Sequence, residues 1–317
     1  MGAVSIVQNV GARTNRAAEQ RWGWAFAAPA VILGGVFILL PFLMAVVMSF
    51  TSLRLISARS VPTRFVGFNN YVLLLQDGEF WQALGNTGLF VLIVVPVQTS
   101  FALLLALLVN QKARLINFFR ATYFVPVVLP MVVVATIWGF LYTYDPTPSG
   151  SQGLVNAFLL FISGGRLGPY AWTLDPHVAL LAIIILSIWQ GVGFQMIIFL
   201  AGLQEISADM YEASEMDGAN GWQQFWYVTL PLLRNTTIFI VMATTILAFG
   251  LFDQVNILTG GGPRGATTTL TYFMVTKGFN QLQTGYGSAV AVVFFVLVVA
   301  VTLLQRRFLR EERATEA

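Results

Sequence analysis

Long apolar runs alternate with polar segments along the whole chain. A helix needs about 20 apolar residues to cross the ~30 Å hydrocarbon layer of a bilayer. Backbone groups in lipid must find partners inside their own segment, so each run of this length is expected to be helical. The pattern predicts an all-α, polytopic membrane protein with six transmembrane helices. The six runs are residues 24–50, 86–109, 121–142, 178–203, 236–257 and 286–305.

Polar side chains interrupt the fifth run more than the others. Thr244 and Thr245 lie in its middle, and Asp253 lies near its end. Polar and charged groups at membrane depth are costly unless they face a cavity or another helix. Prolines inside several runs also indicate kinked helices, because proline removes a backbone donor. Kinked helices that carry threonine suit a moving pathway better than an inert anchor.

Composition supports a membrane location and excludes several kinds of chemistry. Of 317 residues, 57% are hydrophobic and 10% are charged, whereas a soluble domain carries about 25% charged residues. The mean hydropathy is +0.75. There is no cysteine and one histidine, which excludes thiolate metal sites and cysteine nucleophiles. No phosphate-binding G-x-x-x-x-G-K-[ST] motif occurs. We therefore expect no catalytic residue, metal or cofactor in this chain.

Basic residues predict the orientation, because Lys and Arg accumulate in cytoplasmic loops. With six spans, one side holds an N-terminal tail (1–23), the loop 110–120, a long loop (203–235) and a C-terminal tail (306–317). We predict that this side is cytoplasmic and that 24–305 is the transmembrane domain. Eleven of the seventeen basic residues are on it: Arg13, Arg16, Arg21, Lys112, Arg114, Arg120, Arg234, Arg306, Arg307, Arg310 and Arg313. The other six are Arg54, Arg59, Arg64, Arg166, Arg264 and Lys277.

The remaining loops, 51–85, 143–177 and 258–285, are then on the outer side. The middle one contains a short apolar segment, Leu154–Ile162. It is too short to cross a bilayer. The sequence leaves two interpretations of this segment, an interfacial helix or a plug.

The longest cytoplasmic loop contains the stretch YEASEMDGANGWQQFWYVTLP, which predicts two short helices. Ser207 is placed to cap the first helix, and Gly218 to end it in a left-handed conformation. Asn220 is placed to cap the second helix. The residues alone leave two interpretations: a hairpin lying on the membrane, with its tryptophans at the headgroups, or a protrusion that fits a soluble partner. Five acidic residues within 205–217 argue against anionic lipid.

The spacing within this loop resembles the signature loop of ABC importer permeases. That pattern has Glu-Ala-Ala, three residues, Gly, nine residues and Ile-x-Leu-Pro, and here Ser214 and Val228 replace Ala and Ile. The resemblance implies a type I ABC importer permease fold and a coupling helix seated in a cleft of a cytoplasmic ATPase. The implied coupling residues are Glu212, Ala213, Ser214, Asp217, Gly218, Leu230 and Pro231.

A second stretch, FDQVNILTGGGP (252–263), is similar to a signature of carbohydrate-importer permeases of the maltose and glycerol-phosphate type. The similarity covers about 25–310. It implies a permease of the bacterial inner or plasma membrane that works by alternating access, as the first permease of a pair. The implied partners are a second homologous permease, an ATPase dimer that binds ATP and Mg²⁺, an extracytoplasmic solute-binding protein and a sugar.

Polar and aromatic residues of the fourth and fifth runs are candidates for the solute path, since a sugar needs hydrogen-bonding groups and aromatic faces inside the bundle. The candidates are Ser187, Trp189, Gln190, Gly191, Phe194, Thr244 and Asp253, with Gln195, Trp138 and Tyr142 as further possibilities. For two of them a structural role is equally open: Thr244 bonding its own helix, and Gln195 bonding a neighbouring helix.

Two alternative functions remain open from the sequence. One is an ABC permease for a polyol or a glycerol-phosphate-type solute, although no Lys or Arg lies well inside a run to meet an anion. The other is a stand-alone secondary transporter, which should show inverted repeats or a buried acid–base relay. Only Asp253 is a candidate for such a relay.

Overall fold

The computed structural model describes residues 19–56, 63–111, 116–147 and 150–309. Within these ranges the only β pairing is an isolated bridge between Thr51 and Phe65, and the all-α prediction is confirmed. The helices in chain order are α1 (Glu19–Ser49), α2 (Asn69–Gln76), α3 (Gly78–Val109), α4 (Ile116–Val128), α5 (Met131–Leu141), α6 (Leu154–Ser163), α7 (Ala179–Glu205), α8 (Ala208–Met216), α9 (Gly221–Leu232), α10 (Arg234–Phe249), α11 (Asp253–Leu258), α12 (Leu270–Val275) and α13 (Thr284–Leu309).

Four of these helices, α1, α3, α7 and α13, are long and apolar enough to cross a bilayer unbroken. Two further spans are bent pairs: α4 with α5, at 100°, and α9 with α10, at 64°. Counting each pair as one span gives the predicted six. The predicted tails lie largely outside the described residues, which begin at 19 and end at 309, and their cytoplasmic location stays a prediction.

The third span breaks where proline prevents the helix from continuing. Pro130 precedes α5 with ψ of 135°, an extended conformation that no helix contains. Proline has no N–H to give to the preceding turn, and its ring restricts the residue before it. The predicted run 121–142 is therefore two helices at a steep angle rather than one straight span.

The fifth span ends earlier than the sequence predicts. The run 236–257 was expected to be continuous, but α10 stops at Phe249 and α11 begins separately at Asp253. A helix end at membrane depth needs partners for its last carbonyls. Thr271 Oγ1 donates to the Phe249 carbonyl at 3.1 Å, and Thr269 Oγ1 donates to the Leu251 carbonyl at 2.7 Å. These side chains make the break possible.

Helices α3 and α7 form the centre of the bundle. One buried cluster joins their C-terminal halves to α10, through residues such as Ala106, Phe199 and Ile240. A second cluster joins their N-terminal halves to α10 and α11, through Phe90, Ile183 and Val255. The two clusters hold α7 rigidly between α3 and the broken fifth span.

Helix α6 lies beside the N-terminal end of α7 and is held by one buried side chain. Asn156 is fully buried; its Nδ2 donates to the Tyr170 carbonyl, and its Oδ1 accepts from the Tyr170 N–H and from Trp172 Nε1, all at 2.9–3.0 Å. The Trp172 ring packs with Tyr142 and Ala182 near the start of α7. No residue of α6 lines the cavity described below, and both predicted roles of this segment stay predictions.

Replacing Asn156 by leucine should destabilise this outer segment. The change leaves the buried Trp172 Nε1 without its partner, at a cost of about 1–3 kcal/mol, and removes two part-buried hydrogen bonds to the Tyr170 backbone. We expect a lower melting temperature in detergent and faster proteolysis within 143–177. Asn117→Leu is the matched control, because Asn117 is exposed. Equal melting temperatures for the two variants would contradict the structural role of Asn156.

Candidate functional site

A cavity of about 310 Å³ lies among α3, the bend of the third span, α7 and the broken end of the fifth span. Small-molecule sites in proteins typically have about 300–1,000 Å³. The walls are mostly apolar, with polar groups at a few points. Its lining residues are Phe90, Val94, Gln98, Val127, Met131, Ser187, Gln190, Gly191, Phe194, Gln195, Ile198, Ile240, Ala243, Thr244, Leu247, Ala248, Gly250, Leu251, Phe252, Asp253 and Gln254.

The structure brings six of the seven predicted path residues to this cavity. The four that come from α7 recur at intervals of three or four residues, so one helix face presents them all. Thr244 comes from α10. Asp253 reaches the cavity only because α10 ends before it. The six are Ser187, Gln190, Gly191, Phe194, Thr244 and Asp253.

Trp189, the seventh, lies outside the cavity lining. Its ring meets that of Trp138, with centroids 5.6 Å apart, and Trp138 packs on Tyr142 at 5.2 Å. The Tyr142 hydroxyl donates to the Ala182 carbonyl at 2.9 Å. These aromatic residues pack α5 against α7, and in this conformation they do not line the cavity.

Several polar groups of the cavity bond within the bundle. Ser187 Oγ donates to the Ile183 carbonyl at 2.7 Å, and Thr244 Oγ1 donates to the Ile240 carbonyl at 2.7 Å. Gln195 Nε2 donates to Thr244 Oγ1. The structural roles that the sequence left open for Thr244 and Gln195 are therefore both present.

Other polar groups of the cavity have no partner among the described residues. Gln195 Oε1 is buried without a hydrogen bond. The Gln98 side chain is 6% exposed, and no described residue bonds its amide or that of Gln190. An unsatisfied buried polar group costs about 1–3 kcal/mol, so the cavity is prepared for a ligand that supplies hydrogen bonds.

Asp253 is the one charged residue that lines the cavity within the described ranges. It is exposed and begins α11. No Lys, Arg or His among the described residues joins it in the lining. The described part of the chain also holds no cluster of three or more side chains that could bind a metal ion. The charge that the described residues bring to the lining is therefore a single carboxylate.

Sequence reasoning missed Gln98, Phe252 and Gln254. For Gln98 a signal was present, since this amide lies inside an otherwise apolar run, where polar groups are costly. For Phe252 and Gln254 there was none, because the sequence predicted that the fifth span would continue past them.

The loop 203–235, which the sequence predicts to be cytoplasmic, folds as α8 and the start of α9, joined by a sharp turn. Gly218 has φ of +83°, a left-handed conformation that suits glycine. Its N–H donates to the Glu215 carbonyl and the Ala219 N–H to the Ser214 carbonyl, both at 2.9 Å, which closes the end of α8. Asn220 and Gln223 then form a reciprocal capping box at the start of α9.

Two side-chain contacts fix α8 against α9. Tyr211 Oη and Thr229 Oγ1 are 3.0 Å apart, and Gln224 Nε2 donates to Ser214 Oγ at 3.1 Å. Ser207 occupies the N-cap position as predicted, but its hydroxyl makes no cap hydrogen bond.

Most of the predicted coupling residues lie on the free surface of this loop. Glu212, Ala213, Asp217, Gly218 and Pro231 are exposed. Leu230 and Ser214 are half-buried, and Ser214 is occupied in joining the two helices. Two large apolar side chains beside them, Met216 and Trp222, are also exposed, at 89% and 70%. The described part of the chain leaves these side chains of the loop uncovered.

Comparisons with known proteins agree with this geometry. The family described as "Binding-protein-dependent transport system inner membrane component" matches residues 98–313. The chain is 35% identical to the lactose transport system permease protein LacF of Rhizobium radiobacter, over 95% of this chain and 100% of that protein. It is 33% identical to the trehalose/maltose transport system permease protein MalF of Thermococcus litoralis, over 90% of this chain and 92% of that protein.

The fold also matches that of a chain in the crystal structure of a bacterial alginate ABC transporter bound to a periplasmic protein carrying alginate pentasaccharide. The TM-score is 0.77 and the identity 21%, over 93% of this chain and 96% of that chain. The predicted permease fold is thereby confirmed. The chain belongs to the family of binding-protein-dependent transport system inner membrane components, the permease subunits of ABC transporters.

Proposed function

We propose that this chain is a permease subunit of an ATP-driven importer for a neutral sugar, and that the cavity between α3, α7 and α10 is part of the sugar's path. The observation that carries the proposal is the cavity's chemistry. The amides of Gln98 and Gln190 and the Oε1 atom of Gln195 make no hydrogen bond within the described residues, and apolar walls surround them. Sugars present hydroxyl groups that satisfy such amides and apolar ring faces that suit such walls.

Lactose, trehalose and maltose, the solutes in the names of the two relatives, are neutral sugars. The cavity agrees with that class, because its one charge is the Asp253 carboxylate. A carboxylate accepts hydrogen bonds from hydroxyls but repels an anion. An acidic solute such as alginate would need cations, and no basic residue of the described chain lines this cavity.

The exposed loop supports coupling to a separate ATPase. Glu212 and Gly218 stand on a protrusion whose outer surface is uncovered in the described chain. ATP-driven closure of an ATPase dimer would bias the bundle between outward- and inward-facing states, provided the loop contacts the ATPase differently in each. A second homologous permease would complete the pathway, and an extracytoplasmic binding protein would deliver the sugar to the outer loops.

The proposal is tested by purifying the tagged protein from its native membrane in mild detergent and identifying the proteins that accompany it. We expect a second permease, an ATPase and an extracytoplasmic binding protein. The reconstituted complex should then take up a radiolabelled neutral sugar only with ATP inside the liposome. Uptake by this chain alone without ATP would contradict the proposal and support a secondary transporter.

A further inference from the structure

We propose that Gln98 determines solute specificity: its side-chain amide bonds one hydroxyl of the sugar as it crosses the middle of the membrane. The inference rests on the proposed function and deepens it, because it assigns a recognition role to α3, which supplied none of the residues that the sequence predicted for the path.

The position of Gln98 along α3 is the first support. It lies eleven residues before Val109, where α3 ends. At a rise of 1.5 Å per residue, it is about 17 Å from the cytoplasmic end of the helix. This distance is close to half of the ~30 Å hydrocarbon layer. At this depth the polar contacts of the amide come from the protein or from whatever occupies the cavity.

Its burial is the second support. The side chain is 6% exposed, lines the cavity and bonds no residue in the described ranges. Buried polar side chains elsewhere in the bundle do find partners: Thr87 donates to the Ala83 carbonyl, and Thr244 donates to the Ile240 carbonyl. The Gln98 amide therefore faces the cavity without a partner inside the described protein, and it is available to a ligand there.

Gly191 is the third support, because it makes the room for this amide. A Cβ added at Gly191 would lie 2.6 Å from Gln98 Nε2 and 3.2 Å from Oε1. Any other residue at 191 would push the amide away from α7. The glycine thus keeps the Gln98 amide against the helix face that also carries Gln190 and Gln195.

The chemistry fits one hydroxyl group. A primary amide has a carbonyl acceptor and two N–H donors, so it can accept from and donate to a hydroxyl at the same time. A site built around such a pair rejects an analogue that lacks the hydroxyl, because its buried amide then remains unpaired. The expected consequence is discrimination between a sugar and one of its deoxy derivatives.

The test uses the complete complex with its ATPase and binding protein, reconstituted in liposomes. Lactose, trehalose and maltose serve as the first probes, followed by the monodeoxy derivatives of whichever is transported. The wild-type ratio of kcat/KM for the sugar and one derivative should be about tenfold or more, as expected for a lost buried hydrogen bond. Gln98→Leu should bring that ratio close to one.

Gly191→Ala is the second variant. It keeps the glutamine and displaces its amide, and should reduce the same ratio. Thr99→Val is the control: Thr99 is adjacent, equally buried and has an unpaired hydroxyl, but it does not line the cavity. Gly88→Ala is a further control on α3, because nothing lies within 4 Å of a Cβ added at that glycine. Size-exclusion chromatography of each variant checks that it still folds and assembles with its partners.

The outcomes separate the two claims. A wild-type complex that transports none of the sugars overturns the proposed function, and this assignment with it. A wild-type complex that transports and discriminates, while Gln98→Leu keeps the same ratio, overturns the assignment alone. An equal effect of Thr99→Val would also overturn it, because the loss would then come from packing.

Discussion

Replacing Gly218 by tryptophan should abolish ATP-driven uptake while the protein still inserts in the membrane and binds its second permease. Two effects act together at this position. An L-residue in the left-handed conformation costs about 1–2 kcal/mol, and a large side chain would project from an exposed turn where the ATPase is proposed to bind. The structure leaves open space around a Cβ at Gly218, so the chain itself accommodates the bulk.

Two smaller substitutions separate backbone strain from bulk. Asparagine tolerates the left-handed conformation better than most residues, so Gly218→Asn should retain much of the uptake, and Gly218→Ala should lie between. The measurements are ATP-dependent uptake in liposomes and retention of the ATPase on the purified permease pair. A tenfold loss of uptake corresponds to a loss of only about 1.4 kcal/mol in the free energy of the contact between the loop and the ATPase. Wild-type uptake by Gly218→Trp would remove the loop from the coupling mechanism.

Replacing Gly193 by alanine should prevent recovery of a folded protein or strongly reduce its melting temperature. A Cβ on Gly193 would collide with the carbonyl oxygen of Tyr123 on α4 and would lie 3.3 Å from the Phe124 Cα. Backbone atoms cannot rotate away as a flexible side chain can, so α4 and α7 would have to separate. Overpacking of a well-packed interior costs about 1–3 kcal/mol, and a contact with backbone is expected at the upper end.

The control is Gly139→Ala on α5, where the nearest atom to a new Cβ is Leu258 Cδ2 at 3.8 Å. It should leave the melting temperature in detergent unchanged. Adding Tyr123→Ala to Gly193→Ala should give no rescue, because the clash is with the main chain of residue 123. A rescue, or an unchanged melting temperature for Gly193→Ala, would show that α4 and α7 are not packed as closely as the structure has them.

The features readable from the sequence were those that depend on neighbouring residues. Gly218 was expected to end a helix, and Asn220 to cap the next one, because left-handed turns and caps need only local backbone geometry. Ser187, Gln190, Gly191 and Phe194 were chosen for their chemistry, and their spacing places all four on one face of α7. Trp189 was chosen on the same grounds, but it lies outside the cavity lining, against Trp138.

The tertiary structure decided what local pattern could not. The sequence by itself determined the membrane location, the all-α class and the six apolar runs, because lipid requires each span to satisfy its own backbone. It could not place the break after Phe249, because the carbonyls freed there are bonded by Thr269 and Thr271, about twenty residues away. It could not bring Gln98 to Gly191 either, since that contact depends on how closely α3 and α7 approach. The cavity therefore depends on residues that are distant in sequence, because these stabilise the break after Phe249 and bring Gln98 close to Gly191.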